Sequence, residues 1–261
     1  MSRIADAFDN AKAEGRAALV GYLTAFDPDR EGSLERIMTA IDSGLDVLEL
    51  GVPFSDPTAD GPDVQTAMVR ALKSGATLPG VLDLARAIRE RSDIPMVLFS
   101  YANPLMQMGS RLGAAAANAG IDGVLVVDCP PQHAAELREP IAARGLDWIG
   151  LVAPTTTPER MDAVAKVTSG FVYAVTLRGV TGAALDVDSD ELEAQLKAVR
   201  SRFDVPVAAG FGVRSAKQAR TLAAKADGVV VGSALIRAGQ ESVQALGELI
   251  RDLRQGTEAG G

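Results

Sequence analysis

The sequence predicts an α/β fold, a single (β/α)8 TIM barrel with an extra N-terminal helix, spanning residues 1–261. Three observations predict it. Eight short segments rich in Val, Ile and Leu recur along the chain, separated by longer amphipathic stretches. These segments run as continuous apolar stretches, the pattern of parallel strands covered on both faces. Finally, 261 residues without a low-complexity linker is a length at which α/β barrels close as one unit.

The elements follow in order. Ile4, Ala7, Phe8 and Ala11 form one stripe, which suits an opening helix that caps the barrel floor. Residues 18–23 read as the first strand, followed by 47–50, 96–99, 124–127, 148–152, 171–175, 205–209 and 228–231. Among the intervening helices, Ser33 to Ile41 carries Leu34, Ile37, Met38 and Ile41 on one face. Ser215 to Ala224 and Ser242 to Leu253 behave alike. Strand and helix alternate, so crossovers should join parallel strands. An open doubly wound sheet is the rival, but no Gly-x-Gly-x-x-Gly follows the first strand. The tail, residues 255–261, reads as frayed.

Composition removes several function classes. Lys and Arg number 26 against 34 Asp and Glu, a net charge of −8, which gives neither nucleic acid nor an anionic membrane a field to follow. One cysteine forms no internal disulfide framework, and one histidine forms no multi-histidine metal site. The start lacks an apolar signal core and no stretch is long enough to span a bilayer, so a cytoplasmic protein is expected.

Barrel active sites collect on the loops after the strands' carboxyl ends. After the second strand comes Glu49-Leu50-Gly51-Val52-Pro53-Phe54-Ser55-Asp56-Pro57-Thr58-Ala59-Asp60-Gly61-Pro62. Side chains alternate along a strand, so Leu48 and Leu50 on the helix side place Glu49 inside the barrel near its mouth. Burial would raise the pKa of such a carboxyl and suit it to proton transfer near neutral pH. A structural Glu paired with Lys or Arg is the alternative. Asp60 precedes Gly61-Pro62 and, on the local residues alone, reads first as a cap of the next helix and only second as a site carboxylate. After strands seven and eight, Gly210-Phe211-Gly212 and Gly232-Ser233 offer close backbone N–H groups and a helix N-terminus, a pattern suited to phosphate. Two tight turns are the plainer reading. These two loops carry no Lys or Arg, consistent with neutral backbone donors. Residues 176–184 after strand six read as a long loop that could act as a lid. Tyr173 lines a pocket beneath it or belongs to the core. Cys129, His133 and Trp148 favour a filler, a solvated residue and a packing residue, respectively. Leu105, Met106 and Met108 sit in one rim loop, where they offer a contact for another protein or pack beneath the loop.

Leu48 through Pro57 with Ala59-Asp60-Gly61-Pro62 resembles the signature of the tryptophan synthase α subunit family. Gly179-Val180-Thr181-Gly182, Gly210-Phe211-Gly212 and Gly232-Ser233-Ala234 match its other blocks in order, and the likeness covers roughly residues 2–254. The resemblance implies a TIM-barrel lyase that cleaves indole-3-glycerol phosphate to indole and glyceraldehyde 3-phosphate. It implies Glu49 as general acid/base, Asp60 as the carboxylate facing the indole N–H, and Tyr173 near the scissile bond. Tyr22, Tyr101, Leu125 and Val152 would line the indole pocket. Gly182, Gly212, Gly232 and Ser233 would contact phosphate beside Phe211, and Thr181 would close over substrate and steady Asp60. No cofactor is expected in this chain. The implied partner is a pyridoxal-phosphate-dependent β subunit in an α2β2 tetramer, contacted through Asp56 and the Asn103–Met108 stretch.

Two departures stand out. Phe26 occupies a position where the family usually has Gly, and Leu177-Arg178 differs from the commoner residues before Gly179. Two other functions fit less well. A stand-alone lyase releasing free indole would turn over without a partner, and a non-catalytic activating subunit would not need Glu49.

Overall fold

The computed structural model describes residues 2–176, 190–210 and 212–258. Eight parallel strands close a barrel in sequence order. They are β1 (Ala18–Thr24), β2 (Val47–Gly51), β3 (Met96–Ser100), β4 (Gly123–Val126), β5 (Asp147–Val152), β6 (Val172–Val175), β7 (Val207–Gly210) and β8 (Gly228–Val231). β8 returns to β1 through Ala18↔Gly228 and Gly21↔Val231, which closes the ring. The seventh strand starts two residues later than expected. Pro206 has no N–H for the ladder and serves only as the acceptor for the Val172 N–H, at 2.9 Å.

Alternation sorts the strand residues into two layers. Leu48, Leu50, Leu98, Val124, Trp148, Val152, Val172 and Val229 pack outward against the helices. Val20, Tyr22, Val47, Val97, Phe99, Leu125, Ile149, Phe171 and Tyr173 fill the interior. The N-terminal helix Arg3–Ala13, capped by Ser2, buries Ile4, Phe8 and Ala11. Phe8 meets Phe171 with ring centroids 5.4 Å apart, so this helix plugs the floor as its stripe predicted.

Aspartates at strand entries knit the floor. Asp46 accepts from the Leu19 N–H at 2.7 Å and holds Arg16 and Arg254. Asp122 accepts from Met96 N–H at 2.8 Å and holds Arg3 and Arg89. Asp227 accepts from the Val207 N–H at 2.9 Å. Each joins one strand's first residues to its neighbour.

Several expectations change. The chain between β2 and β3 holds two helices, Pro62–Lys73 and Leu78–Arg89. The tail is ordered further than expected. The last helix runs Val243–Gly256, Thr257 is fully buried, and Glu258 bridges to Arg16. Leu105 is core, Met108 packs partly against it, and Met106 alone of the three rim residues is exposed, at 53%. Phe26 adopts φ +64°, the left-handed region where glycine is at ease, and its ring is buried against Gly80. Its bulk goes toward the helix layer and leaves the barrel mouth untouched. No described helix is long and apolar enough to cross a membrane.

Candidate active site

β2 delivers Glu49 to the barrel interior because Leu48 and Leu50 are drawn to the helix layer. Its side chain is 1% exposed, and neither carboxyl oxygen has a hydrogen-bond partner among the described residues. Burial pushes its pKa up to about 8, and no cation among the described residues opposes that shift. The alternative of a structural Glu paired with Lys or Arg finds no such partner among the described residues.

Asp60 lies in the loop leaving β2. Gln65 donates to the carbonyls of Pro57 and Asp60 at 3.2 and 3.0 Å, fastening that loop to the helix it precedes. The cap position of helix Pro62–Lys73 is Gly61, without a side-chain cap bond, so Asp60 is free of the capping duty its sequence position allowed. Instead the Tyr101 hydroxyl donates to Asp60 Oδ2 at 2.6 Å and accepts from the Ala59 N–H at 2.9 Å. Burial raises the Asp60 pKa, and the Tyr101 hydrogen bond opposes that shift. Phe54 stacks on Tyr101 with centroids 5.0 Å apart, fixing the ring that holds Asp60.

Glu49 and Asp60 share one cavity of about 210 Å³. Tyr22, Phe99, Val127, Leu151 and Tyr173 form its largely apolar wall. The chain has three tyrosines, and all three converge here: two in the wall and Tyr101 behind Asp60. Burial raises the pKa of Tyr22 and of Tyr173, with the charges of Asp60 and Glu49 adding to it, so both hydroxyls stay protonated. Tyr22 needs Gly51 beside it. A Cβ at Gly51 would lie 2.2 Å from the Tyr22 hydroxyl oxygen.

At the other end, Gly212, Gly232 and Ser233 line the same cavity. Gly212 has φ +77°, and Ser233 begins the helix Ser233–Glu241 with Gly232 as its cap residue. Backbone N–H groups at that first turn have no partner within the helix, so this end favours an anion. Two cations missed in the sequence also line this cavity, Arg214 just past the Gly210–Gly212 loop and Arg237 one turn into the helix. The two glycine loops themselves carry no Lys or Arg, as expected, but the cavity they border does have cations in its wall. Residues four apart on a helix share a face, which was the available signal for Arg237.

The remaining candidates divide. Leu125 faces the interior but is fully buried below the cavity wall. Val152 does not line the pocket. Ile149 and Leu151 take the inward positions of β5, so alternation turns Val152 to the helices, and Leu151 stands in the wall in its place. Thr181, Gly182 and Phe211 lie outside the described residues, as does most of the expected lid. Trp148 packs in the helix-facing layer, His133 is exposed in a single turn, and Cys129 packs partly against the core.

The model of the family described as tryptophan synthase alpha chain matches residues 8–258. The chain is 45% identical to the tryptophan synthase alpha chain of Citrifermentans bemidjiense over 266 residues, covering 100% of this chain and 99% of the relative. The Burkholderia thailandensis protein of that name is 46% identical, covering 97% and 96%. Among solved structures, Mycobacterium tuberculosis tryptophan synthase superposes with a TM-score of 0.93 at 37% identity, covering 99% of both chains. Matched along almost its whole length in both sequence and fold, the chain belongs to the tryptophan synthase alpha chain family, lyases of tryptophan biosynthesis.

Proposed function

We propose that the cavity binds indole-3-glycerol phosphate with its indole ring between Glu49 and Asp60 and its phosphate at Gly212, Gly232 and Ser233. The ring carbon bearing the glycerol chain is a poor leaving group until it is protonated. Glu49, with a pKa of about 8, holds a proton at neutral pH and delivers it to that carbon. Protonation places positive charge on the ring nitrogen. Asp60, kept toward its ionised form by Tyr101, lies where that charge can be offset. The carbon–carbon bond then breaks as the adjacent hydroxyl gives its proton to Glu49 and becomes the aldehyde of glyceraldehyde 3-phosphate. Glu49 ends as it began, so proton transfers alone close the reaction. Two carboxyls in unlike environments separate the roles of proton donor and charge stabiliser.

Tyr22 and Tyr173 border the ring site, Tyr101 acts through Asp60, and Leu125 supports the wall from beneath. Thr181, Gly182 and Phe211 are assigned to closure and phosphate contact on the family likeness. The same likeness supports a single cytoplasmic barrel domain working in an α2β2 tetramer. Its β partner would use pyridoxal phosphate to join the released indole to serine, meeting this chain near Asp56 and the exposed Met106.

The observation that carries the reading is a buried, unpartnered Glu49 sharing a cavity with Asp60. Indole release from indole-3-glycerol phosphate, with and without a β subunit, tests it. Glu49→Gln should lower turnover by about 10²- to 10⁴-fold, since general acid–base catalysis contributes that much. Intact turnover in Glu49→Gln overturns the role. Stimulation by the β subunit supports the tetramer, and equally vigorous turnover alone marks a free-standing lyase.

A further inference from the structure

Arg237 enters the cavity wall from the helix whose first turn forms the anion end. It lies four residues beyond Ser233, on the same helix face. Long side chains on a helix lean back toward its N-terminus, which puts the turn at Gly232 and Ser233 within reach of an arginine at this position. Its guanidinium pairs with Asp63, which also lines the cavity and sits in the first turn of helix Pro62–Lys73, three residues beyond Asp60. The two side chains are 41% and 31% exposed, so water screens the pair and little is lost when the guanidinium changes partner. A phosphate monoester carries up to twice the charge of a carboxylate and presents oxygens that match the guanidinium fork. An arriving phosphate would also be repelled by Asp63 unless a cation stood between them.

We propose that Arg237 is an exchangeable phosphate ligand, paired with Asp63 as seen here and transferred to the substrate phosphate when that group reaches Gly232 and Ser233. The inference rests on the phosphate placement proposed above and deepens it. A guanidinium then supplies charge that backbone donors lack, and Asp63 is released from its pair while Gln65 and Tyr101 keep the Asp60 loop in place.

Calorimetric titration with glyceraldehyde 3-phosphate, and separately with indole, tests the exchange alongside steady-state kinetics. Arg237→Gln should weaken glyceraldehyde 3-phosphate binding and raise KM for indole-3-glycerol phosphate about tenfold. Its kcat should stay within about twofold and its indole affinity unchanged. Asp63→Asn should act in the opposite direction and tighten glyceraldehyde 3-phosphate binding, because it frees Arg237 and removes a repelling charge. A merely structural tie between the two helices predicts the same sign for both variants, and that result overturns the proposal. Gly212→Asp distinguishes the position of the phosphate from the role of Arg237. If it abolishes glyceraldehyde 3-phosphate binding while Arg237→Gln changes nothing, the phosphate lies where assigned and Arg237 is not its ligand. If Gly212→Asp also leaves binding intact, the phosphate placement itself is wrong.

Discussion

At the scale of single residues, the site depends on how differently two carboxyls are treated. Glu49 is surrounded by apolar wall, and burial alone makes it a proton carrier at neutral pH. Asp60 keeps a donor at 2.6 Å from the Tyr101 hydroxyl, which favours its charged form. Tyr101→Phe removes that donor and the acceptor of the Ala59 N–H together. A hydrogen bond to a charged group is worth roughly 1.5–3 kcal/mol, so kcat for indole release should fall about 10- to 100-fold. Steady-state kinetics check this, and urea unfolding of the same variant confirms that the barrel is intact. An unchanged kcat would show that Asp60 is placed without Tyr101.

At the scale of elements, the loop leaving β1 shows a local conflict that packing resolves. Phe26 sits at φ +64°, where a residue with a Cβ pays roughly 1–2 kcal/mol. The ring recovers this by burial against helix Leu78–Arg89, and the Ser33 and Ser74 hydroxyls hold its backbone N–H and carbonyl at 3.1 and 3.2 Å. Phe26→Ala loses the packing and keeps the strain, for a loss of about 3 kcal/mol or more. Phe26→Gly loses the same packing but relieves the backbone. It should therefore be about 1 kcal/mol more stable than the Ala variant, reversing the usual order of the two residues. Urea denaturation of both variants decides it. The loop leaving β2 shows the opposite case, in which local sequence and final structure agree. Pro62 opens the following helix as its position suggests, and Gly51 leaves room for Tyr22.

For the whole molecule, burying an unpartnered carboxyl makes stability depend on pH. Glu49 has a folded pKa of about 8 against an ordinary 4.5, so between those values the folded chain binds one more proton than the unfolded chain. Stability due to this group is therefore fully present below pH 4.5 and falls as pH rises toward 8, by about 1.4 kcal/mol per pH unit. Urea unfolding at about pH 5.5 and about pH 7.5 should show a loss on the order of 2–3 kcal/mol that Glu49→Gln abolishes. A slope that survives the substitution would assign it to other groups.

The sequence by itself determined the strand order, the helix plug on the floor and the inward turn of Glu49. Each follows from periodicity, which is local: neighbouring side chains on a strand face opposite ways wherever the strand ends up. It also carried the Gly232-Ser233 helix start, another local signal. Tertiary structure alone decided what Asp60 does, because its cap position and its place in the cavity are both compatible with the local sequence. Tyr101, 41 residues away, settles the matter only once β2 and β3 lie side by side. The pairing of Asp63 with Arg237, separated by 174 residues, requires the ring to close from β8 back to β1. The choice between Leu151 and Val152 was by contrast legible locally, since alternation puts Val152 on the helix-facing side with Trp148 and leaves Leu151 to the cavity. Local periodicity fixes the faces of an element, whereas the contacts between faces exist only after the barrel has closed.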